Sequence, residues 1–175
     1  MTMPRSTPEQ SGRPVAEPGK YLTFALGRES YGVPVLAVRE IIRLCPITPV
    51  ATMPPHVRGV INLRGKVIPL VDLRLRFGLP AAEEHDRTCI VVAQVPAAAG
   101  GTRPYGVIVD GVEEVAQFTA ADIEPTPDFG TAVDARFITG MAKAAGGVKI
   151  LVDLDRIAAA DRVPDAAAPA TNPAP

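Results

Sequence analysis

The chain has 175 residues, 47% hydrophobic and 21% charged, a mixture that suits one ordinary globular domain or two very small ones, and a multidomain enzyme is not expected. Lys and Arg number 18 against 19 Asp and Glu, a net charge of -1 that removes the basic surplus nucleic-acid binding draws on; an aromatic content of 5% with no Trp points the same way. Cys45 and Cys89 lack the spacing of a disulfide framework or zinc knuckle, and no apolar run approaches the roughly 20 residues of a membrane-spanning helix, so a reduced, cytosolic setting is expected.

Residues 1–20 carry Pro4, Pro8, Pro14 and Pro18 among small and charged residues, with too few large apolar groups to offset the entropy of ordering; a flexible tail is expected. From residue 21 to 160 the recurrent unit is a short Val/Ile/Leu-rich run bounded by glycine or proline. Strands are predicted at 21–26, 31–35, 58–64, 66–71, 88–95, 105–109, 112–118, 137–142 and 148–152. Helical turns are predicted at 35–42, 72–77 and 153–160, the last two opened by Asp72 and Asp153, which suit the free N–H groups of a first turn. Pro34 lacks an N–H and is expected at a strand end or edge. Residues 161–175, with Pro164, Pro169, Pro173 and Pro175, read as a second flexible tail.

An internal duplication organises the middle of the chain. YGVPV at 31–35 matches YGVIV at 105–109, each followed by a Val, one residue and a Glu: Val38-Arg39-Glu40 and Val112-Glu113-Glu114. LVDL at 70–73 recurs at 151–154, with Gly59 and Gly140 ahead of it in the two copies. The offsets, 105 − 31 = 74 and 151 − 70 = 81, keep the copies in register apart from one loop-length difference. Each half holds about five short strands, and an open sheet of that size leaves exposed edges. Two small β-barrels packed together, neither stable alone, resolve that difficulty.

Residues that could carry chemistry read as structural. His56 and His85 have no companion ligands at metal-site spacing and are expected to be solvated loop residues. Cys89 opens an apolar strand and Cys45 precedes Pro46, positions of small buried hydrophobes rather than nucleophiles. Gly100-Gly101 and Gly146-Gly147 are expected hairpin turns, and Asp72, Asp110 and Asp153 caps or turn residues. No catalytic residue, cofactor or metal site is expected. The stretch from Arg58 to Asp72, RGVINLRGKVIPLVD, leaves two readings of its central charges: Arg64 and Lys66 are solvated turn residues, or Arg64 pairs with Glu40 and fixes one exposed face for protein recognition. A small-ligand enzyme would need an enclosed polar pocket, and a nucleic-acid-binding barrel a basic, aromatic-studded strand face.

In order and spacing, YGVPVLAVREI, HVRGVINLRGKVIPLVDLRLRFG, YGVIVDGVEEV, FITGMAK and GGVKILVDLDRI resemble the chemotaxis coupling (adaptor) protein CheW family, across nearly everything between the two tails. The resemblance implies a mainly β fold of two intertwined five-stranded SH3-like β-barrels (CheW-like) with short helices, the first barrel over about 21–80 and the second over about 81–160. It also implies a non-catalytic adaptor or scaffold in chemotaxis signal transduction, coupling the cytoplasmic tip of methyl-accepting chemoreceptors to the regulatory domain of the histidine kinase CheA. Such an adaptor uses no nucleic acid and no membrane insertion, and works in the cytoplasm at membrane-associated receptor arrays. The positions implicated in receptor binding match Val38, Glu40, Gly59, Asn62, Arg64 and Gly106, along an apolar groove near the junction of the barrels. In this reading Gly59 and Gly106 permit close backbone approach; the motifs do not mark the kinase-binding residues. A CheW-like adaptor of a non-flagellar chemosensory pathway, controlling pili, a second messenger or development, uses the same module. The tails, Pro34 and the Ala/Gly-rich loop 96–103 depart from the family pattern without touching its main motifs.

Overall fold

The computed structural model describes residues 15–125 and 135–161. The first half of the duplication comprises β1 (Gly19–Leu26), β2 (Glu29–Pro34), a 3-10 turn (Val35–Ala37), β3 (Val38–Arg43), β4 (Val57–Leu63), β5 (Lys66–Asp72) and α1 (Leu73–Arg76). The second comprises β6 (Cys89–Pro96), β7 (Thr102–Val109), β8 (Gly111–Phe118), β9 (Ile123–Glu124), a 3-10 turn (Ala135–Phe137), β10 (Ile138–Ala144), β11 (Gly147–Val152) and α2 (Leu154–Asp161).

These strands form two sheets, ordered β8-β1-β2-β11-β10-β9 and β3-β6-β7-β5-β4. Each sheet takes two strands from one half and the rest from the other, which corrects the division of the barrels at residue 80. In both halves the third strand crosses over, β3 to pair with β6 and β8 to pair with β1. The β4–β5 and β10–β11 hairpins then dock in parallel on β7 and β2, through Leu70–Asp72 and Lys149–Leu151. The exchange obeys one pseudo-twofold rule in both directions, which is how the barrels come to be intertwined.

The largest core cluster is shared between the sheets: Leu22, Phe24, Tyr31 and Val33 from one meet Val91, Ala93, Tyr105 and Val107 from the other. Each sheet also wraps a cluster of its own, Ile61, Ile68, Leu70, Ile90, Val92 and Ile108 in one, and Tyr21, Phe118, Ala142 and Leu151 in the other. Adjacent residues serve different clusters, as Tyr21 and Leu22 do on β1, because successive side chains on a strand point to opposite faces.

The predicted helical turn at 35–42 is a correction: only Val35–Ala37 is helical, as a 3-10 turn, and Val38–Arg43 is strand. Its half-buried and exposed residues alternate strictly, and a period of two outweighs the three-to-four spacing of Val35, Val38 and Ile42. The first tail also ends earlier than expected, since Gly19 and Lys20 pair with Phe118 and Gln117 and the Ala16 N–H donates to the Thr139 carbonyl at 2.9 Å. Residues 1–14 and 162–175, where the tails were otherwise expected, lie outside the described residues. Pro34 closes β2 and is exposed.

Candidate partner-binding face

Five of the six candidate positions come from the β3 edge, with Val38 and Glu40, and the β4–β5 hairpin, with Gly59, Asn62 and Arg64. The hairpin turns on Arg64 and Gly65, with φ of 50° and 85°, the two positive values of a type I′ turn. Asn62 Oδ1 accepts the Gly65 N–H at 2.9 Å and holds that turn. The Arg64 guanidinium donates to Glu40 Oε1 on β3. Because β3 and β4 are opposite edges of their sheet, this ion pair ties the sheet closed on itself. The Arg64 side chain is 71% exposed and that of Glu40 29%, so the pair contributes little to stability, on the order of 0.2–1 kcal/mol, while fixing a charged surface. A depression of about 190 Å³ lies beside it, lined by Arg39, Leu63, Lys66, Val92, Gln94 and Pro104. Val38, two residues from Glu40 and on the same side of β3, is half-buried against the shared core.

The two glycines are approached closely by the chain's own atoms, Gly59 by backbone and Gly106 by a side chain. A Cβ on Gly59, whose φ is +139°, would stand 2.1 Å from the Thr48 carbonyl oxygen, where residue 48 bridges to Val60. A Cβ on Gly106 would stand 2.3 Å from Leu70 Cδ2. Both are buried and present no surface.

Two features beyond the candidate positions stand out. Arg74 forks onto Asp110, Nε at 2.8 and 2.9 Å and Nη2 at 2.6 Å, while its Nη1 donates to the Pro80 carbonyl. The Gly27 N–H donates to Asp110 Oδ2 at 2.7 Å, so the clamp joins α1, the β7–β8 turn and the β1–β2 hairpin. Burial alone would raise the Asp110 carboxyl, but the hydrogen bonds from Arg74 and Gly27 outweigh it and hold the group below its ordinary value. The second feature is an apolar groove of about 520 Å³ at the passage from β2 to β3, beside Leu36, which is 97% exposed. Neither feature has a local sequence signal; both emerge when the two copies of the duplication are aligned.

The remaining candidates are structural. Asp72 Oδ1 accepts from the N–H of Arg74 and Leu75, and Asp153 Oδ1 from those of Asp155 and Arg156. His85 Nδ1 accepts the Arg87 N–H inside its turn, and the His56 carbonyl accepts the Asp72 N–H. Cys45 and Cys89 are free thiols packed against core clusters, and burial pushes the Cys89 thiol up, away from nucleophilic use. The Gly100-Gly101 and Gly146-Gly147 pairs lie at the β6–β7 and β10–β11 hairpins with positive φ. Among the described residues no cluster of three or more His, Cys, Asp or Glu could hold a metal, and no helix is long and apolar enough to cross a membrane.

This geometry has close relatives. The chain is 33% identical over 144 residues to a chemotaxis protein CheW of Klebsiella aerogenes, covering 82% of this chain and 84% of that one. It is 39% identical over 136 residues to a chemotaxis protein CheW of Rhizobium meliloti, covering 78% and 84%. Protein FrzA of Myxococcus xanthus is 31% identical over 127 residues, covering 73% and 76%. The crystal structure of the scaffolding protein TtCheW from Thermoanaerobacter tengcongensis superimposes with a TM-score of 0.71 at 34% identity, covering 80% of this chain and 92% of that one. Residues 20–162 match the family model described as a CheW-like domain. The interlocked SH3-like barrels are thus shared with a family of non-catalytic scaffolds, and this chain belongs to the CheW-like family.

Proposed function

We propose that this protein is an adaptor that holds the cytoplasmic tip of a methyl-accepting chemoreceptor against the regulatory domain of the histidine kinase CheA, in the cytoplasm at membrane-associated arrays. The observation that carries the reading is the Arg64–Glu40 pair: an exposed, oriented charge on a rigid turn, beside Val38, suits registration of a partner helix and has no catalytic partner. Glu40, Asn62, Arg64 and Val38 form the receptor-binding face. Gly59 and Gly106 act beneath it by letting residues 48–49 and Leu70 sit close. Weak contacts of this kind gain strength through multivalency in an array.

Arg64→Glu should weaken binding of a receptor-tip fragment about tenfold in calorimetry and lower the melting temperature by no more than about 4 °C, because an exposed ion pair contributes little to folding. Unchanged affinity would refute the assignment. The similarity to Protein FrzA supports a second reading, a CheW-like adaptor of a non-flagellar pathway controlling pili, a second messenger or development. Flagellar genes beside the coding sequence would favour the first reading, and pilus or cyclase genes the second.

A further inference from the structure

The bulges of the two crossing strands carry opposite charges. By the offsets of 74 and 81, Arg39 in β3 stands where Glu113 does in β8, Arg64 where Ala145 does, and Lys66 where Gly147 does. Around Glu113 the charges close among themselves: Lys149 Nζ lies 3.4 Å from its Oε1, and Ser30 Oγ donates to its Oε2 at 3.0 Å. Around Arg39 they do not. The depression of about 190 Å³ there is lined by Arg39, Arg64 and Lys66 against one acid, Glu40, which Arg64 already engages. Arg39 and Lys66 are exposed, and among the described residues neither has a side-chain partner. The half-buried Gln94 adds an amide to the same wall. One sheet therefore brings its own carboxylate to the bulge, while the other gathers cations that lack one. The depression is smaller than the roughly 300–1,000 Å³ of small-molecule pockets, so it suits a side chain rather than a free metabolite.

We propose that this depression is a socket for a carboxylate, an aspartate or glutamate on the receptor helix, held by Arg39 and Lys66. The inference rests on the receptor-binding reading above and names the side chain that the face selects. Arg64 and Glu40 belong both to that face and to the wall of the socket, so a helix registered on them overhangs Arg39 and Lys66. The Arg39 guanidinium presents a planar fork that matches a carboxylate, and Lys66 adds a point charge beside it. The partner's acid then takes the part that Glu113 plays in the other sheet. Cations at the rim of an interface act mainly on encounter and on choice: they draw in a helix with an acid at the facing position and repel one with a lysine there.

The test uses the full chain and a helical-hairpin fragment of a chemoreceptor tip, with binding followed by calorimetry at low and high salt. Arg39→Gln and Lys66→Gln should each weaken binding about threefold at low salt and flatten its salt dependence, and the two together about tenfold. The melting temperature should stay within about 3 °C, since neither side chain has a partner to lose. The double reversal Arg39→Glu/Lys66→Glu should weaken binding at least about thirtyfold, and changing one acidic residue of the fragment to lysine should restore at least about threefold of that loss while weakening the wild type. If the Arg39 and Lys66 variants bind as wild type does while Arg64→Glu is weakened, the socket is not part of the site and the receptor reading survives. A loss that is the same at low and high salt, or that no charge swap in the fragment restores, overturns the carboxylate. Loss of binding to the regulatory domain of CheA, with binding of the receptor fragment intact, overturns the choice of partner. Failure of the wild type to bind the fragment overturns both this proposal and the receptor reading.

Discussion

Leu70 covers Gly106 in one half of the molecule as Leu151 covers Gly32 in the other, and Thr48 approaches Gly59 as Glu124 approaches Gly140. Bulges fall at matching places too, at Arg58 in β4 and Thr139 in β10, and at Arg39 in β3 and Glu113 in β8. Outside this shared interior the halves part. Asn62-Leu63-Arg64-Gly65 in one hairpin faces Lys143-Ala144-Ala145-Gly146 in the other, where Lys143 pairs with Glu124 at 2.8 Å and no cation occupies the place of Arg64. The duplicated interior therefore explains the fold, and the diverged hairpin and the Leu36 passage are where a one-sided function can reside.

Glycine substitutions test the shared interior most severely. Gly59→Ala should cost about 3 kcal/mol, because its Cβ meets a backbone carbonyl at a positive φ that alanine resists. Gly106→Ala, which meets a side chain, should cost about 2 kcal/mol, and Gly32→Ala, with a looser contact of 2.9 Å, about 1 kcal/mol, all read by urea denaturation. Equal losses at the three sites would break the ordering.

The Arg74–Asp110 clamp sharpens the contrast between the halves, since by the offsets of 81 and 74 its places are taken in the other copy by Asp155 and Leu36. Arg74→Ala should cost about 1–3 kcal/mol at neutral pH, since it strands a partly buried carboxylate. Because the folded Asp110 carboxyl lies below its unfolded value of roughly 4, its contribution is present in full above that pH and disappears as the pH falls through the folded value. The difference between wild type and Asp110→Asn should therefore shrink on acidification in thermal melts; a pH-independent difference would contradict it. The smallest effect is expected at the exposed Lys143–Glu124 pair, where Lys143→Ala should change stability by less than about 0.5 kcal/mol.

Much of this was legible in the sequence. Period-two runs between glycine and proline marked most of the strands, Asp72 and Asp153 announced the helix starts, and the glycine pairs the hairpins. Residues 35–42 read as a helical turn from sequence because the inward side of β3, Val38, Glu40 and Ile42, is only half-buried and carries a charge. The strand exchange leaves no local trace, since parallel pairing of β5 with β7 and of β11 with β2 joins segments distant in sequence. Glu40 and Arg64 could be paired because each sat in a recognisable string. Arg74 and Asp110, 36 residues apart, could not, and Leu36 becomes informative only when set against Asp110.

Strand exchange also bears on how a ribosome delivers this protein. The sheet built from β3 to β7 has all its strands once residue 109 has emerged, whereas β1 and β2 wait for β8 and for β11, which ends at Val152. For that interval the β1–β2 hairpin offers two open edges and the aromatic pair Phe24 and Tyr31, a surface that chaperones or premature pairing with another nascent chain would find first.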